Sequence, residues 1–499
     1  MEQEIKTPEE AVQNTRRIGL VILAVLVLLL AVGGIVLKIA LTPDDAFERI
    51  LHETVYDYDE DADMTYFITD GKLLDAVMEG YVIESASDAD GSVTAVLNCT
   101  NELFILKDKK LTKAAGGVVE FRLAAAGTAA AYIQEDGTTA LYDIARGTNR
   151  IIEASRWCGS LTLSPDGGTL MLLRESELGT DVLCIWRDGT LTELAAHALP
   201  IAVADDARYA YYRGASDNSL YVSKKLGEPV RLTENFDNMT SFCFDRELEE
   251  FFFSTWDGLF VSVKGREPVQ VYDMSVGLQL LCPPRTAVTT LSGYVRADIY
   301  PVKTFAGQPV LFEMLGRESK DLVYLDEKYQ QQFKLEAWDF TLTPDNRTLY
   351  YLRGPELFMA DMETLAASTA ETFVETVIAE NVEKYHAPGW DGDVYYVTYD
   401  GMLGYMDADG KSRELAADVS DFSVLGDGQI LYTAPSEDGG TALFRAEGGK
   451  ARTAAEAFRM LTVYDTTALW RVEHEDGSWE LWRIGESGRG KRLRKVEKE

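Results

Sequence analysis

The chain has 499 residues, enough to bury a large core, and its 46% hydrophobic and 26% charged content excludes wholesale disorder. A formal net charge of −34 argues against nucleic acid as a partner, because a phosphate backbone must be met by a basic surface. Aromatic residues make up 10%, with 24 Tyr and 20 Phe, a bias toward pleated surfaces on which flat rings pack.

Residues 18–37 read IGLVILAVLVLLLAVGGIVL, an uncharged run of about the length a helix needs to cross the roughly 30 Å of bilayer hydrocarbon. A cleaved signal peptide has a shorter apolar stretch, and here the run continues past the small residues Ala31-Val32-Gly33. The expectation is an uncleaved transmembrane helix over 18–41. Arg16 and Arg17 abut the span, with Lys6 before them, whereas Lys38 and Arg49 follow it. By the positive-inside rule, residues 1–17 form a cytoplasmic tail and the rest lies outside the cytoplasm.

Residues 42–63 are predicted to form a short amphipathic helix, 44–56, and an acidic stalk. In the stalk Asp57, Asp59, Asp61 and Asp63 alternate. An EF-hand loop starting at Asp57 would need Gly at Ala62 and Glu at Ile68, so the pattern fails. A solvated linker is the expectation.

From residue 64 onward one grammar recurs. Leu163-Ser164-Pro165-Asp166-Gly167 is turn chemistry, with Pro fixing φ and Gly supplying positive φ, set among short apolar strands. It returns as Leu342-Thr343-Pro344-Asp345-Asn346. Taking the turn after each first strand as a marker gives Asp90, Gly127, Asp166, Asp206, Asp245, Arg285, Asp345, Asp391, Asp427 and Asp465. A period of about 40 residues with four strands per unit is the signature of an all-β propeller. About eight to ten units over 64–499 are expected, in one large ring or two, with residues 286–319 the only seam between rings. The polar C-terminus makes a poor fourth strand, so an early strand (65–77) is expected to close the final unit.

These units resemble the TolB-like propeller repeats, relatives of the WD-type repeat, whose mark is the Ser-Pro-Asp-Gly turn before an apolar strand. Ser164, Pro165, Asp166 and Gly167 match it fully; Thr343, Pro344 and Asp345 match in part. The resemblance implies a fold and a tendency toward binding or scaffolding, and it names no ligand.

Catalytic and metal motifs are thin. His52, His197, His386 and His474 lie far apart, and none of the five cysteines forms a C-x-x-C pair. Buried free thiols are expected, with Cys158 and Cys184 the nearest candidates for a disulfide. Gly410-Lys411-Ser412 ends like a phosphate-binding loop, but Tyr405 stands where that motif needs Gly. It reads as a hairpin turn. An α/β-hydrolase nucleophile elbow is missing, because Gly485-Glu486-Ser487-Gly488 breaks at Arg489. The basic segment 488–499 reads as a frayed terminus. Trp390, in Pro388-Gly389-Trp390-Asp391-Gly392, is the candidate ligand contact, and the insertions 286–319 and 363–373 are the candidate binding loops.

The leading expectation is a membrane-anchored, extracytoplasmic propeller without a cofactor, binding a protein, peptide or glycan of the cell envelope. The rival is an envelope glycan hydrolase or lyase with paired carboxylates around the axis.

Overall fold

The computed structural model describes residues 54–496, apart from 282–309, 362–374 and several shorter stretches between strands; residues 1–53 and 497–499 also lie outside the described residues. The chain divides into two compact units, Met1–Ile50 and Leu51–Glu499, and every described element belongs to the second. The expected membrane span, with Arg16 and Arg17, falls in the first. Among the described residues no helix is long and apolar enough to cross a membrane.

The described residues form ten four-stranded antiparallel sheets and one three-stranded sheet, consecutive in the chain. Each is a simple meander, its strands hydrogen-bonded in sequence order. This is the arrangement of propeller blades. The three-stranded sheet comes first (residues 54–79), and the eleventh spans 460–496.

Position within a sheet dictates sequence. Second strands are covered on both faces by neighbouring sheets, so they read as unbroken apolar runs. Val93–Asn98 and Glu250–Thr255 are buried at every position, and Thr169–Glu175 at its first five. Fourth strands are outer edges and carry polar residues, as in Thr148–Glu153 and Thr190–Ala196. Apolar clusters then form between sheets. One joins the fifth and sixth through Tyr211, Phe242, Phe244, Phe251 and Phe253, whose rings stack or meet edge-on at 4.5–6.0 Å.

All ten turn markers fall in the connection between first and second strands of the ten four-stranded sheets. The stretch 286–319 is no seam between units. It lies inside the seventh sheet, whose first two strands are Leu278–Leu281 and Val310–Leu315.

The two ends of the array differ from expectation. The early strands Thr54–Asp59, Met64–Thr69 and Lys72–Glu79 form their own sheet and do not complete the last one. Lys491–Val496, expected to be frayed, is the fourth strand of the eleventh sheet. Nor are residues 54–59 helix or stalk. Their aspartates have partners more than 400 residues away in sequence: Asp57 pairs with Arg471, and Asp59 with Arg494. The Arg494 guanidinium also lies 3.7 Å from the Tyr66 ring centroid, and Arg471 lies 4.3 Å from that of Trp479. Beneath these pairs Ile68 packs on Leu469 and Leu481. The last sheet therefore packs on the first, and the circuit of sheets closes through charge pairs and apolar contact without strand exchange.

Cys184 is a free thiol buried in the core between the third and fourth sheets, so no disulfide joins it to Cys158. It acts there as a small apolar residue.

Candidate functional site

The meander sends its connections to two ends. First–second and third–fourth turns emerge on one face, here called the turn face. Second–third turns and the links between sheets emerge on the opposite one, the linker face.

On the turn face the Ser-Pro-Asp-Gly turn is held by its own side chains. Ser164 Oγ donates to Asp166 Oδ1 at 2.7 Å, the Gly168 N–H donates to the same oxygen at 2.7 Å, and the Thr169 N–H donates to Ser164 Oγ at 2.9 Å. Gly167 sits at φ +78°, where a β-carbon would lie 2.7 Å from Thr128 Oγ1, so the turn requires glycine. The turn also ties three sheets together. The Ala126 N–H and Thr128 Oγ1 donate to the carbonyls of Pro165 and Asp166, and the Asp166 N–H donates to Asp205 Oδ1 at 2.9 Å. The repeat signature is thus a joint between neighbours. Burial, opposed by the Asp166 N–H, and then the nearby Asp166 carboxylate push the Asp205 carboxyl up to about 6. Both acids are engaged in turn hydrogen bonds.

Two open grooves lie between these turns and the outer hairpins. One, of about 500 Å³, is bounded by Lys107, Gly127, Leu141, Arg146 and Asp166. The other, of about 520 Å³, is bounded by Ile185, Arg187, Asp206, Arg208 and Leu226. Burial works against the Asp206 carboxylate, yet hydrogen bonds from Arg208 hold it below its ordinary range. Among the described residues no group of three His, Cys, Asp or Glu side chains is placed to hold a metal ion.

The linker face is built by a repeated backbone contact in which a second–third turn bonds the link before it or after it. The Val118 N–H reaches the Asn101 carbonyl at 2.8 Å, Glu135 reaches Gly117 at 2.8 Å, and Tyr399 reaches Asn381 at 3.0 Å. Asn101 and Asn381 take positive φ there, which asparagine tolerates. Four large aromatics stand exposed on this face: Tyr81 (50%), Trp256 (57%), Trp338 (48%) and Tyr399 (59%). The described second–third turns of the second to sixth sheets contribute Glu102, Glu135, Asp136, Asp217 and Asp257, and no Lys or Arg. Hydrogen bonds from Thr138 keep Asp136 low, and those from Tyr221 and Ser219 do the same for Asp217, so both stay ionised.

The expected contacts sit elsewhere or out of view. Trp390 and the Thr343-Pro344-Asp345 turn lie outside the described residues, in connections whose flanking strands open onto the turn face. Most of the two insertions is likewise undescribed, and their flanking strands also open there. His197 is an exposed link residue at φ +49° whose N–H donates to the Asp181 carbonyl, and His474 lies 3.9 Å from Glu480, so the described histidines share no site. Asp407 to Lys411 forms the expected hairpin turn, with the Lys411 N–H donating to Asp407 Oδ1. The linker-face aromatics were missed, although Trp256-Asp257-Gly258 and Tyr399-Asp400-Gly401 repeat the aromatic-Asp-Gly pattern that singled out Trp390.

No family model matches the chain, and no curated protein matches it. Among solved structures it is similar to the tricorn protease, at 10% identity and a TM-score of 0.26, covering 88% of this chain and 58% of that one. It is also similar to PorZ, a bacterial surface component of the type-IX secretion system of Porphyromonas gingivalis. That match has 12% identity and a TM-score of 0.31, and covers 85% of this chain and 70% of that one. The chain thus spans under two thirds of the tricorn protease. At these TM-scores the fold assignment rests on the chain's own blade-like sheets.

Proposed function

We propose that this protein is a membrane-anchored, extracytoplasmic binding scaffold: one closed propeller ring of TolB-like type that captures a cell-envelope protein or glycan on its linker face. The observation that carries the reading is the presence on one face of four exposed aromatics and of second–third turns whose described residues, in the second to sixth sheets, carry carboxylates and no Lys or Arg. Exposed Trp and Tyr supply contact area at low entropic cost, and they stack on sugars as well as on peptide side chains. The acidic turns select a cationic or neutral partner and speed its encounter. The expected transmembrane span, 18–41, would tether the chain to the membrane.

The test is capture from envelope extracts by the immobilised chain, compared with Trp256→Ala and Trp338→Ala. One partner retained by the parent and lost by both variants supports the reading. Equal capture by parent and variants, or reproducible capture of nothing, sinks it.

A further inference from the structure

We propose that the first sheet is an incomplete blade whose missing innermost strand is supplied by a partner, an extended and uncharged polypeptide segment that pairs with Thr54–Asp59. This site is separate from the linker face and binds in a different way, by strand addition.

Connectivity supplies the first argument. Asn101 and Asn218 lie in second–third turns, take positive φ, and accept at their carbonyls the N–H groups of Val118 and Phe236, where the chain moves on to the next sheet. Asp63 does the same: it has φ +51° and its carbonyl accepts the Gly80 N–H at 2.9 Å. The turn after Thr54–Asp59 is therefore a second–third turn. Thr54–Asp59, Met64–Thr69 and Lys72–Glu79 follow the courses of second, third and fourth strands, and the first course is missing. Among the described strands, Thr54–Asp59 pairs with Met64–Thr69 alone.

Exposure supplies the second. Phe121, Leu161 and Phe242 stand at the same step of their first strands, each opposite the fourth residue of its second strand. All three are buried against the sheet before their own. Ser85 holds that step in the second sheet, opposite Val96, which packs on Phe67 and Met78 of the first sheet. Two residues on, Ser87 replaces the buried Leu163 and Phe244. Both serines are exposed, and so is Tyr56, which lies opposite Phe67 and shares its face. A resident innermost strand would cover all three, as first strands help to cover Val93–Asn98 and Glu250–Thr255. Serine in place of Phe or Leu suits a place that is solvated when unoccupied.

Edge chemistry supplies the third. On an antiparallel edge strand every second residue points its N–H and C=O away from its one partner. Proteins defend such edges with Lys, Pro or a bulge. Thr54–Asp59 has no Lys or Pro, and its six-residue pairing runs without a register shift. The first strands of the second to sixth sheets all carry such a shift against their second strands. Asp57 and Asp59 are paired with Arg471 and Arg494, so neither repels an arriving chain. The occupant's chemistry follows from the wall it meets. Small Ser85 and Ser87 leave room for bulky apolar or aromatic side chains at alternate positions, and a charged side chain there would be buried unpaired.

The experiment uses the full-length chain in detergent micelles and a fluorescein-labelled peptide, Gly-Thr-Phe-Thr-Val-Thr-Phe-Thr-Gly, read by anisotropy and by hydrogen exchange with mass spectrometry. The peptide should bind saturably and slow exchange across Thr54–Asp59 about ten-fold, leaving Glu250–Thr255 unchanged. A peptide with Glu in place of both Phe should bind about ten-fold more weakly, and so should the parent peptide on a chain carrying Ser85→Phe and Ser87→Leu. Absence of binding up to about 1 mM overturns the proposal, as does binding that leaves exchange across Thr54–Asp59 unaltered. Exchange there that is already as slow as in Glu250–Thr255 without peptide would mean that the chain fills its own edge, and overturns it too. A dimer abolished by Ser85→Phe and Ser87→Leu would give the place to a second copy and would equally overturn it. None of these outcomes bears on the linker face, which Trp256→Ala and Trp338→Ala test separately.

Discussion

Replacing Arg494 tests how the circuit of sheets closes. The Asp59 side chain is 4% exposed and Arg494 15%, so Arg494→Met strands a carboxylate in a nearly dry joint. Breaking one partner of a buried pair costs about 3–5 kcal/mol. The Ala62 N–H still donates to Asp59 Oδ1 at 3.3 Å and some solvent reaches the site, so the lower end, about 3 kcal/mol, is expected. Arg494→Lys keeps a charge but loses the guanidinium stacking on Tyr66, and about 1–2 kcal/mol is expected. Asp59→Leu with Arg494→Met should recover at least 2 kcal/mol relative to the sum of the single changes, because neither charge is then stranded. Urea unfolding of residues 51–499 followed by tryptophan fluorescence gives the energies. Hydrogen exchange adds location: faster exchange should be confined to the first and eleventh sheets. A loss below about 0.5 kcal/mol with additive single changes would refute the view that these pairs close the ring.

Three further outcomes follow from the geometry. Gly167→Ala should cost about 2–3 kcal/mol in urea unfolding, from left-handed strain plus a β-carbon 2.7 Å from Thr128 Oγ1. Gly354→Ala (φ +61°), with nothing within 4 Å of its β-carbon, should cost only the strain, about 1 kcal/mol. Because Asp205 holds its proton more tightly when folded, with its carboxyl at about 6 against an ordinary 3.8, its contribution to stability falls as pH rises from about 4 to 6 and is flat above. The full effect is about 3 kcal/mol, cut to about 1 kcal/mol for a half-exposed group, so Asp205→Asn should stabilise by that amount at pH 7 and flatten the pH 4–6 slope. An unchanged slope contradicts the assignment. Trp256→Ala and Trp338→Ala should each weaken partner capture at least ten-fold and move stability by under about 0.5 kcal/mol. A large stability loss would make them packing residues.

What was legible in the sequence was local. The turn markers fell where strands turn because Pro, Gly and Asp meet a φ requirement that needs no distant partner, as Ser164 to Gly167 show. The second strands announced themselves by burial on both faces. The ends of the array were illegible for the opposite reason. Asp57 and Asp59 read as solvated and Lys491–Val496 as frayed, because the groups that neutralise them lie at the far end of the chain. KRLRKV offers only two apolar residues, Leu493 and Val496, on opposite faces of the strand, of which Leu493 packs against the Ile68 cluster. The linker-face aromatics were half legible. Trp256-Asp257-Gly258 has the same form as the segment around Trp390, but only strand connectivity assigns each to a face.

Connectivity also explains how one step of the repeat comes to carry charge of one sign. Because every sheet is the same meander, each residue type at a given step of the repeat is sent to the same end. A bias of one charge per hairpin, negligible in a single blade, is therefore repeated at the same step of neighbouring blades. Between the second and sixth sheets, Lys and Arg lead at the third–fourth step and acids at the second–third step, while the first–second turns return Asp88, Asp166, Asp205, Asp206, Glu247 and Glu249 to the end where the basic hairpins lie, so that end as a whole carries no basic excess. Exchanging Lys109, Lys225 and Lys264 for Glu would reverse the sign of the outer hairpins and leave every core contact in place. The expected consequence is a chain that unfolds at the same urea concentration as the parent, because exposed substitutions away from packed groups move stability by under about 0.5 kcal/mol.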